Sequence, residues 1–243
     1  MRVITTVAAA AAAVLTVTST GCQSGPQNPV AVFAAASLAR TFTALGDAFI
    51  DNGTVELTVA GSADLLTQLV HGADADVFAA ADIATMDKAA TAGLLNGPAR
   101  AFATNTLTIV VAPGNPRNVN TFRDLAGVST VICAHQVPCG AAIPGLESRA
   151  GVRLRPVSEE SSVSDVLNKV TSGQADAGLV YLTDARAAGD EVTEVQLPGA
   201  PVNTYQIAVL KTARDSQRAR RFVDLVTGAV GRQVLAASGF GAP

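Results

Sequence analysis

The feature that most constrains the fold of this chain is the alternation of short apolar segments with amphipathic ones from Val30 onward. In the first half, strands are predicted over 30–34, 55–59 and 76–80, and helices over 38–50, around 65–70 and over 83–95. The apolar face of the first helix consists of Leu38, Phe42, Leu45 and Phe49. Their spacing of four, three and four residues matches the helical period. This βαβα order predicts an α/β fold with a mainly parallel sheet.

The same pattern starts again beyond the turn Pro113-Gly114-Asn115-Pro116. Further strands are predicted over 106–112, 128–134, 154–157, 177–182, 195–197 and 205–210, and further helices over 140–150, 163–172 and 213–237. Two successive α/β units predict two lobes that face each other across a ligand cleft and are joined by hinge strands. We assign 30–110 together with 206–243 to lobe 1, and 111–205 to lobe 2. A single sheet is the alternative, and the second βαβα set argues against it.

The N-terminus indicates export. Met1-Arg2 is a small positive region, 3–17 is an apolar run rich in alanine, and Ser19-Thr20-Gly21-Cys22 follows. The run is too short to cross a bilayer and is typical of a cleaved signal peptide. It resembles a bacterial lipoprotein signal, with 1–21 removed, Cys22 lipidated and 22–29 a flexible tether. The protein would then be anchored to the outer face of the cell membrane. Because Ser19 stands where such signals usually have an aliphatic residue, a plain secretory signal is the alternative.

Four predicted helices begin with small or hydroxyl-bearing residues just after a strand or loop: Ser37-Leu38, Gly61-Ser62, Pro138-Cys139-Gly140 and Ser162-Val163. The first N–H groups of a helix lack acceptors within it and carry a partial positive charge. Four such starts around one cleft could bind an anion without Lys or Arg. Any one serine here is explained equally well as an N-cap. The net charge of −3, without a run of basic residues, excludes a nucleic-acid footprint.

Several segments together resemble the molybdate-binding proteins of ABC transporters, the ModA family. They are Val32-Phe33-Ala34-Ala35-Ala36-Ser37-Leu38, Ala60-Gly61-Ser62-Ala63, Gly72-Ala73-Asp74-Ala75-Asp76-Val77-Phe78 with Ala81-Asp82, and Gly178-Leu179-Val180-Tyr181. The resemblance runs from about Val30 to the C-terminus and implies a periplasmic-binding-protein-like fold. By motif it assigns the oxyanion ligands to Ser37, Ser62, Cys139, Val163 and Tyr181. The family usually has alanine at the position of Cys139, and the resemblance implies that this position contributes its backbone N–H.

The resemblance also implies the function. We expect an extracytoplasmic solute-binding protein of an ABC importer, a monomer without cofactor, that captures molybdate or tungstate for the membrane permease. A tetrahedral dianion offers only acceptors, while serine and tyrosine hydroxyls and backbone amides are donors. A donor shell without a carboxylate disfavours phosphate, whose remaining proton would lack a partner. Sulfate is the alternative ligand, because the sequence does not give the size of the cavity.

Cys133, His135 and Cys139 are spaced in a way that could suggest a zinc site, but a fourth ligand is missing. In an exported protein the two cysteines are expected to form a disulfide that braces the loop carrying Cys139. No residue is therefore assigned as a direct ligand of a metal cation.

An enzyme is the main competing class. Ser37 and Ser62 lack the G-x-S-x-G motif of a hydrolase nucleophile, although a cysteine enzyme using Cys139 and His135 is formally open. A regulatory sensor domain would normally follow a DNA-binding segment rather than an export signal. An iron-binding relative would have paired tyrosines, whereas Tyr181 and Tyr205 are far apart in sequence. We therefore predict a binding protein and no catalytic residues.

Overall fold

The computed structural model describes residues 28–243, so the predicted signal peptide, Cys22 and most of the tether lie outside the described residues. The first α/β unit contains β1 (Val30–Ala35), a 3₁₀ turn (Ala36–Leu38), α1 (Ala39–Ala48), β2 (Val55–Ala60), α2 (Ser62–Val70), β3 (Val77–Ala80) and α3 (Ile83–Thr91). It is followed by the long strand β4 (Arg100–Val111). Within residues 28–243, no helix combines the length and apolar character needed to cross a membrane.

The second unit contains β5 (Thr130–Cys133), α4 (Ile143–Ala150), β6 (Ser158–Glu160), α5 (Val163–Thr171), β7 (Ala177–Tyr181), α6 (Leu182–Ala188) and β8 (Thr193–Val195). The chain then returns through β9 (Val202–Val209) and ends with α7 (Ser216–Thr227) and α8 (Ala229–Ala237). The boundaries of most predicted elements agree with these to within a few residues.

Two groups of strands are joined through β4 and β9. Strands β2, β1 and β3 are parallel, and β9 continues this group in the antiparallel direction. In the other group β7, β5 and β6 are parallel, and β4 runs antiparallel to β7. Residues 100–106 of β4 pair with β9, whereas its residues 107–111 pair with β7. The hydrogen-bonded path is therefore continuous, yet it divides into the two α/β lobes that the sequence predicts. The assigned lobe limits at 110/111 and 205/206 stay a prediction.

A series of aromatic contacts leads from the core of the first lobe to the hinge. The rings pack edge-on or tilted, with centroids 5.4 to 6.1 Å apart. Its members are Phe49, Phe222, Phe42, Phe102, Tyr205, Phe240 and Tyr181. Tyr205 on β9 contacts three of the other rings, and it has no exposed surface. Aromatic pairs of this geometry favour a fixed ring orientation, so both tyrosines are held firmly beside the cleft.

Several predicted elements were wrong in detail. The predicted strand over 154–157 is irregular, and the strand lies at Ser158–Glu160 instead; Pro156 has no N–H to donate to a sheet. The single helix predicted over 213–237 is two helices separated by Gly228. A Cβ atom on Gly228 would lie only 2.7 Å from the carbonyl oxygen of Asp224, so this tight turn requires glycine. Helix α6 was not predicted, because it follows β7 without any intervening turn residue.

Candidate functional site

The five residues predicted to bind the ligand line one small cavity between the lobes, with a volume of about 20 Å³. Each lies where a strand or loop leads into a helix. Ser37 is in the 3₁₀ turn after β1, Ser62 and Val163 are the first residues of α2 and α5, Cys139 is in the turn after β5, and Tyr181 ends β7. The carboxyl ends of strands in both lobes thus meet at the cavity. Whether these residues bind a ligand stays a prediction.

The side of the cavity formed by the first lobe provides two hydroxyl groups. Ser62 Oγ accepts a hydrogen bond of 3.1 Å from the backbone N–H of Ala81. Its hydroxyl hydrogen therefore remains for an acceptor in the cavity. Ser37 Oγ lies 2.9 Å from Tyr205 Oη, and either oxygen could be the donor in that pair.

The side formed by the second lobe provides backbone N–H groups. Because Val163 is the first residue of α5, its N–H has no acceptor within the helix. The preceding Ser162 caps the helix: its Oγ accepts from the N–H of Asp165 at 3.2 Å. Cys139 lies in a turn closed by the hydrogen bond from Gly140 N to Val137 O at 3.0 Å. The N-terminal end of α5 thus faces the cavity with its partial positive charge.

A disulfide joins Cys133 at the end of β5 to Cys139 in this turn, as expected from the sequence. The turn is tight, because a Cβ atom on Gly140 would lie 1.9 Å from the carbonyl oxygen of Ala134. Since the two sulfur atoms are bonded to each other, they are not available as zinc ligands. Among residues 28–243, no group of three or more His, Cys, Asp or Glu side chains is placed to hold a metal ion.

The two tyrosines are brought together, contrary to what their separation in sequence suggested: Tyr181 lines the cavity and Tyr205 packs behind it. The rings of Tyr181 and Tyr205 pack edge-on, with centroids 5.8 Å apart. Burial raises the pKa of Tyr181 well above its ordinary value, and the neighbouring Tyr205 raises it further. Burial also raises the pKa of Tyr205, with the charge of Asp184 as the second cause. Both hydroxyls are therefore protonated near neutral pH and can act as neutral donors.

The cavity wall carries no charge. The residues of the described chain that line it are alanines, serines, Gly61, Pro138, Cys139, Val163 and Tyr181, and none of them is ionisable near neutral pH in this environment. An anion held here would be stabilised by hydrogen-bond donors and helix N-termini alone. Of the four predicted helix starts, those of α2 and α5 lie at the cavity, whereas Ser37 is in a 3₁₀ turn and α4 begins only at Ile143, after the turn that contains Cys139.

The two lobes are closed on each other. A Cβ atom on Gly61, at the start of α2, would lie 2.2 Å from the carbonyl oxygen of Ser161 in the opposite lobe. The backbone of Gly61 has φ of −57°, which any residue can adopt, so only this close approach requires glycine. Arg40 Nη1 on α1 also donates to the carbonyl oxygen of Ala187 on α6, at 2.8 Å.

Beside the small cavity lies a wider groove of about 630 Å³ between α1, α5, α6 and α8, and the two share Ala36 and Ser37. Asp184 on α6 lines this groove. Although the residue as a whole is partly exposed, its Oδ2 atom is buried and has no hydrogen-bond partner within the described chain. Burial raises the pKa of Asp184 to about 7.

Comparison of the sequence with known proteins assigns the chain to a family. A sequence profile of bacterial extracellular solute-binding proteins matches residues 30–241. The molybdate-binding proteins ModA of Mycobacterium tuberculosis and Mycobacterium bovis are each 51% identical to the chain over 221 residues, which is 88% of this chain and 85% of theirs. The chain belongs to the ModA family of bacterial extracellular solute-binding proteins. This is a family of transport proteins that bind solutes, and its members are not enzymes.

Solved structures with the same fold include other members of this broad class. The periplasmic molybdate-binding protein of Azotobacter vinelandii has a TM-score of 0.77 at 22% identity, covering 88% of this chain and 99% of that one. The sulfate-binding protein SubI of Mycobacterium tuberculosis has a TM-score of 0.75 at 19% identity, covering 88% and 86%. At these identities the likeness establishes the fold, which is the predicted periplasmic-binding-protein-like one. Membership of an extracellular ModA family agrees with the predicted export.

Four further residues at the site were not identified from the sequence: Gly61 as a contact between lobes, and Asn105, Asn203 and Tyr205 as polar neighbours of the ligand residues. Gly61 was noted only as part of a helix start. Asn105 and Asn203 lie within predicted or adjoining strands, and no local pattern separates them from ordinary strand residues. Their roles depend on contacts between segments that are about a hundred residues apart.

Proposed function

We propose that this protein captures molybdate, and tungstate as a tetrahedral oxyanion of the same type, and delivers it to the membrane permease of an ABC importer. The observation that carries the proposal is the assembly of Ser37, Ser62, Cys139, Val163 and Tyr181 around one uncharged cavity between closed lobes. The 51% identity to mycobacterial molybdate-binding proteins supports molybdate as the ligand.

The proposed mechanism is hinge closure around the anion. Lobe 1 contributes the hydroxyls of Ser37 and Ser62, and lobe 2 contributes backbone N–H groups and the Tyr181 hydroxyl. The donor shell is complete only when the lobes close, so binding selects the closed form. Hydrogen bonds to a charged group contribute about 1.5–3 kcal/mol each, and several such donors are sufficient for tight capture. The closed form is then the species that the permease recognises.

The proposal also includes a location. We infer that the mature chain begins at Cys22, that lipid on this residue holds it at the outer face of the cell membrane, and that it acts as a monomer. Cys22→Ser is expected to shift the protein from the membrane fraction to the soluble one. Intact mass of the membrane-bound form would give the added lipid directly. A plain secretory signal predicts instead that the parent and Cys22→Ser are both found in the soluble fraction and that neither carries added lipid mass.

Calorimetric titration with molybdate, tungstate, sulfate and phosphate tests the ligand assignment. Molybdate and tungstate are expected to bind most tightly, and phosphate most weakly because its proton would find no acceptor. A protein that binds sulfate but not molybdate would make it a sulfate-binding member of the same class. The double variant Ser37→Ala, Ser62→Ala tests the site, and unchanged affinity would contradict our assignment.

A further inference from the structure

The hinge carries two asparagines that face each other across neighbouring strands. Asn105 on β4 and Asn203 on β9 are register partners in the antiparallel pair that joins the lobes. The amide nitrogen of Asn203 lies within hydrogen-bonding distance of the hydroxyl of Tyr181, which lines the cavity, and that of Asn105 makes a longer contact with the hydroxyl of the buried Tyr205 behind it. We propose that Asn105 and Asn203 are positioning residues that orient the hydroxyl hydrogens of Ser37 and Tyr181 toward the bound anion. This inference rests on the proposed ligand site.

The orientation of the Asn203 side chain follows from its neighbours. Its Nδ2 atom lies 2.7 Å from Tyr181 Oη, 3.4 Å from the carbonyl oxygen of Pro138 and 3.5 Å from that of Ala81. Carbonyl oxygens only accept, so the atom that faces them must be the NH₂ group rather than the amide oxygen. Asn203 therefore donates to Tyr181 Oη.

This donation determines what the Tyr181 hydroxyl can do. A hydroxyl has one hydrogen, and an oxygen that accepts from Asn203 retains that hydrogen for another acceptor. The neighbouring polar group is the hydroxyl of Tyr205, whose ring packs edge-on against that of Tyr181. An oxyanion is a stronger acceptor than a neutral phenol, so the Tyr181 hydroxyl donates its hydrogen bond to the bound ligand.

A second, parallel chain of donors ends at Ser37. Asn105 Oδ1 accepts from the N–H of Thr106 at 3.0 Å, which fixes the amide so that Nδ2 is the atom facing Tyr205. Asn105 Nδ2 donates to Thr183 Oγ1 at 2.8 Å and makes a longer contact of 3.5 Å with Tyr205 Oη. Ser37 Oγ lies 2.9 Å from Tyr205 Oη, and in the proposed network Tyr205 is the donor of this pair. The Ser37 hydrogen is left for the cavity.

The direction of these bonds matters because the ligand offers only acceptors. A serine or tyrosine that turned its lone pairs to the cavity would repel an oxyanion instead of binding it. An amide NH₂ group can only donate, so each asparagine removes that unfavourable orientation before the ligand arrives. Asn203 also contacts carbonyl groups on both lobes, next to Ser62 and Cys139, so its full set of bonds exists only in the closed form.

A double-mutant cycle between Asn203→Leu and Tyr181→Phe tests the proposal. Leucine has the same branching as asparagine, with a larger volume, but no donor. Molybdate titration of the parent and of Asn203→Leu should show a Kd that is about tenfold or more higher in the variant. In the Tyr181→Phe background the same change should have little further effect, because the hydroxyl on which Asn203 acts is absent. Thermal unfolding without ligand shows whether each variant is folded. For Asn105, which is buried, the corresponding double-mutant cycle combines Asn105→Asp with Ser37→Ala.

The tyrosine absorption band gives a readout that a space-filling role would not change. The chain has no Trp and two Tyr, both at this site, so the near-ultraviolet difference spectrum on adding molybdate reports these hydroxyls alone. We expect a tyrosine difference band in the parent and a smaller one in Asn203→Leu at saturating ligand. Equal losses of affinity in both backgrounds, with an unchanged difference band, would overturn this inference and leave the proposed function intact. A parent protein that binds none of the oxyanions would overturn both.

Discussion

Replacing Gly61 with alanine should separate ligand binding from folding. The added Cβ would lie 2.2 Å from the carbonyl oxygen of Ser161, whereas ordinary contacts begin near 3.4 Å. The obstruction is between backbone atoms of opposite lobes, so no flexible side chain can move to relieve it. The lobes of Gly61→Ala must therefore stay apart by about 1 Å or more at this point.

The expected cost follows from the geometry of the donors. N–H···O hydrogen bonds have lengths of about 2.7–3.2 Å, so an opening of this size removes the donors of lobe 2 from an anion held by Ser37 and Ser62. Loss of two charge-assisted bonds amounts to about 3–6 kcal/mol, or roughly a hundredfold to ten-thousandfold in Kd. Calorimetric titration with molybdate measures this change, and small-angle scattering measures how far the variant still contracts on adding the ligand.

Gly145→Ala is the matched control. Gly145 lies within α4, and a Cβ atom there would meet nothing within 4 Å, so its affinity should equal that of the parent. The unliganded Gly61→Ala protein should be less stable by under about 1 kcal/mol, because alanine is a poorer N-cap than glycine and the open form is free of the clash. If Gly61→Ala bound molybdate as tightly as the parent, closure to the observed contact would not be required for binding.

Three other variants test separate features of the site. Asp184→Asn should remove part of the pH dependence of stability: because the folded pKa of about 7 exceeds the ordinary 3.8, the parent loses stability as the pH rises from about 4 to 7. The partial exposure of Asp184 limits the loss in the free energy of unfolding to about 2 kcal/mol. Urea unfolding of the parent and of Asp184→Asn at pH 5 and pH 8 would detect it. If the free energy of unfolding changed equally with pH in the parent and the variant, the burial argument would be contradicted. Replacing Cys133 and Cys139 with serine should lower the free energy of unfolding by about 2 kcal/mol, as measured by thermal unfolding. It should also weaken molybdate binding, as measured by titration. If the affinity is unchanged, the disulfide does not position the turn. Arg40→Ala removes one exposed hydrogen bond between the lobes, so we expect a loss of affinity below about tenfold, and a larger one would mean that the arginine also acts on the ligand.

Local sequence signals placed several of the predicted ligand residues near helix starts, and the family motif assigned all five as ligands, but neither predicted the contacts that support them. Ser37, Ser62 and Val163 begin helices directly after strands or short loops, so their placement depends on neighbours in the sequence and could be predicted. Tyr181 was assigned by family motif, and it does line the cavity. By contrast, the Ser37–Tyr205 contact joins residues 168 positions apart, and separation along the chain led us to treat the two tyrosines as unrelated.

The long strands explain the remaining differences. The N-terminal half of β4, with the sequence Arg-Ala-Phe-Ala-Thr-Asn, lacks a strong apolar run and is a strand because β9 pairs with it. Its partner β9 begins three residues before the predicted 205 for the same reason. Pairing between distant segments is decided by the tertiary fold, and the register of Asn105 with Asn203 could not be obtained from either segment alone.

The uncharged cavity has a consequence for the rates of binding and release. A protein of net charge −3 whose site has no cationic side chain does not attract a dianion from a distance, so association is not accelerated by electrostatic steering. High affinity must then come from slow dissociation, and dissociation requires the lobes to reopen. The lifetime of the complex is therefore set by the hinge, where a membrane partner that separates the lobes could release the anion on contact. Added salt should change the rates of capture and release very little.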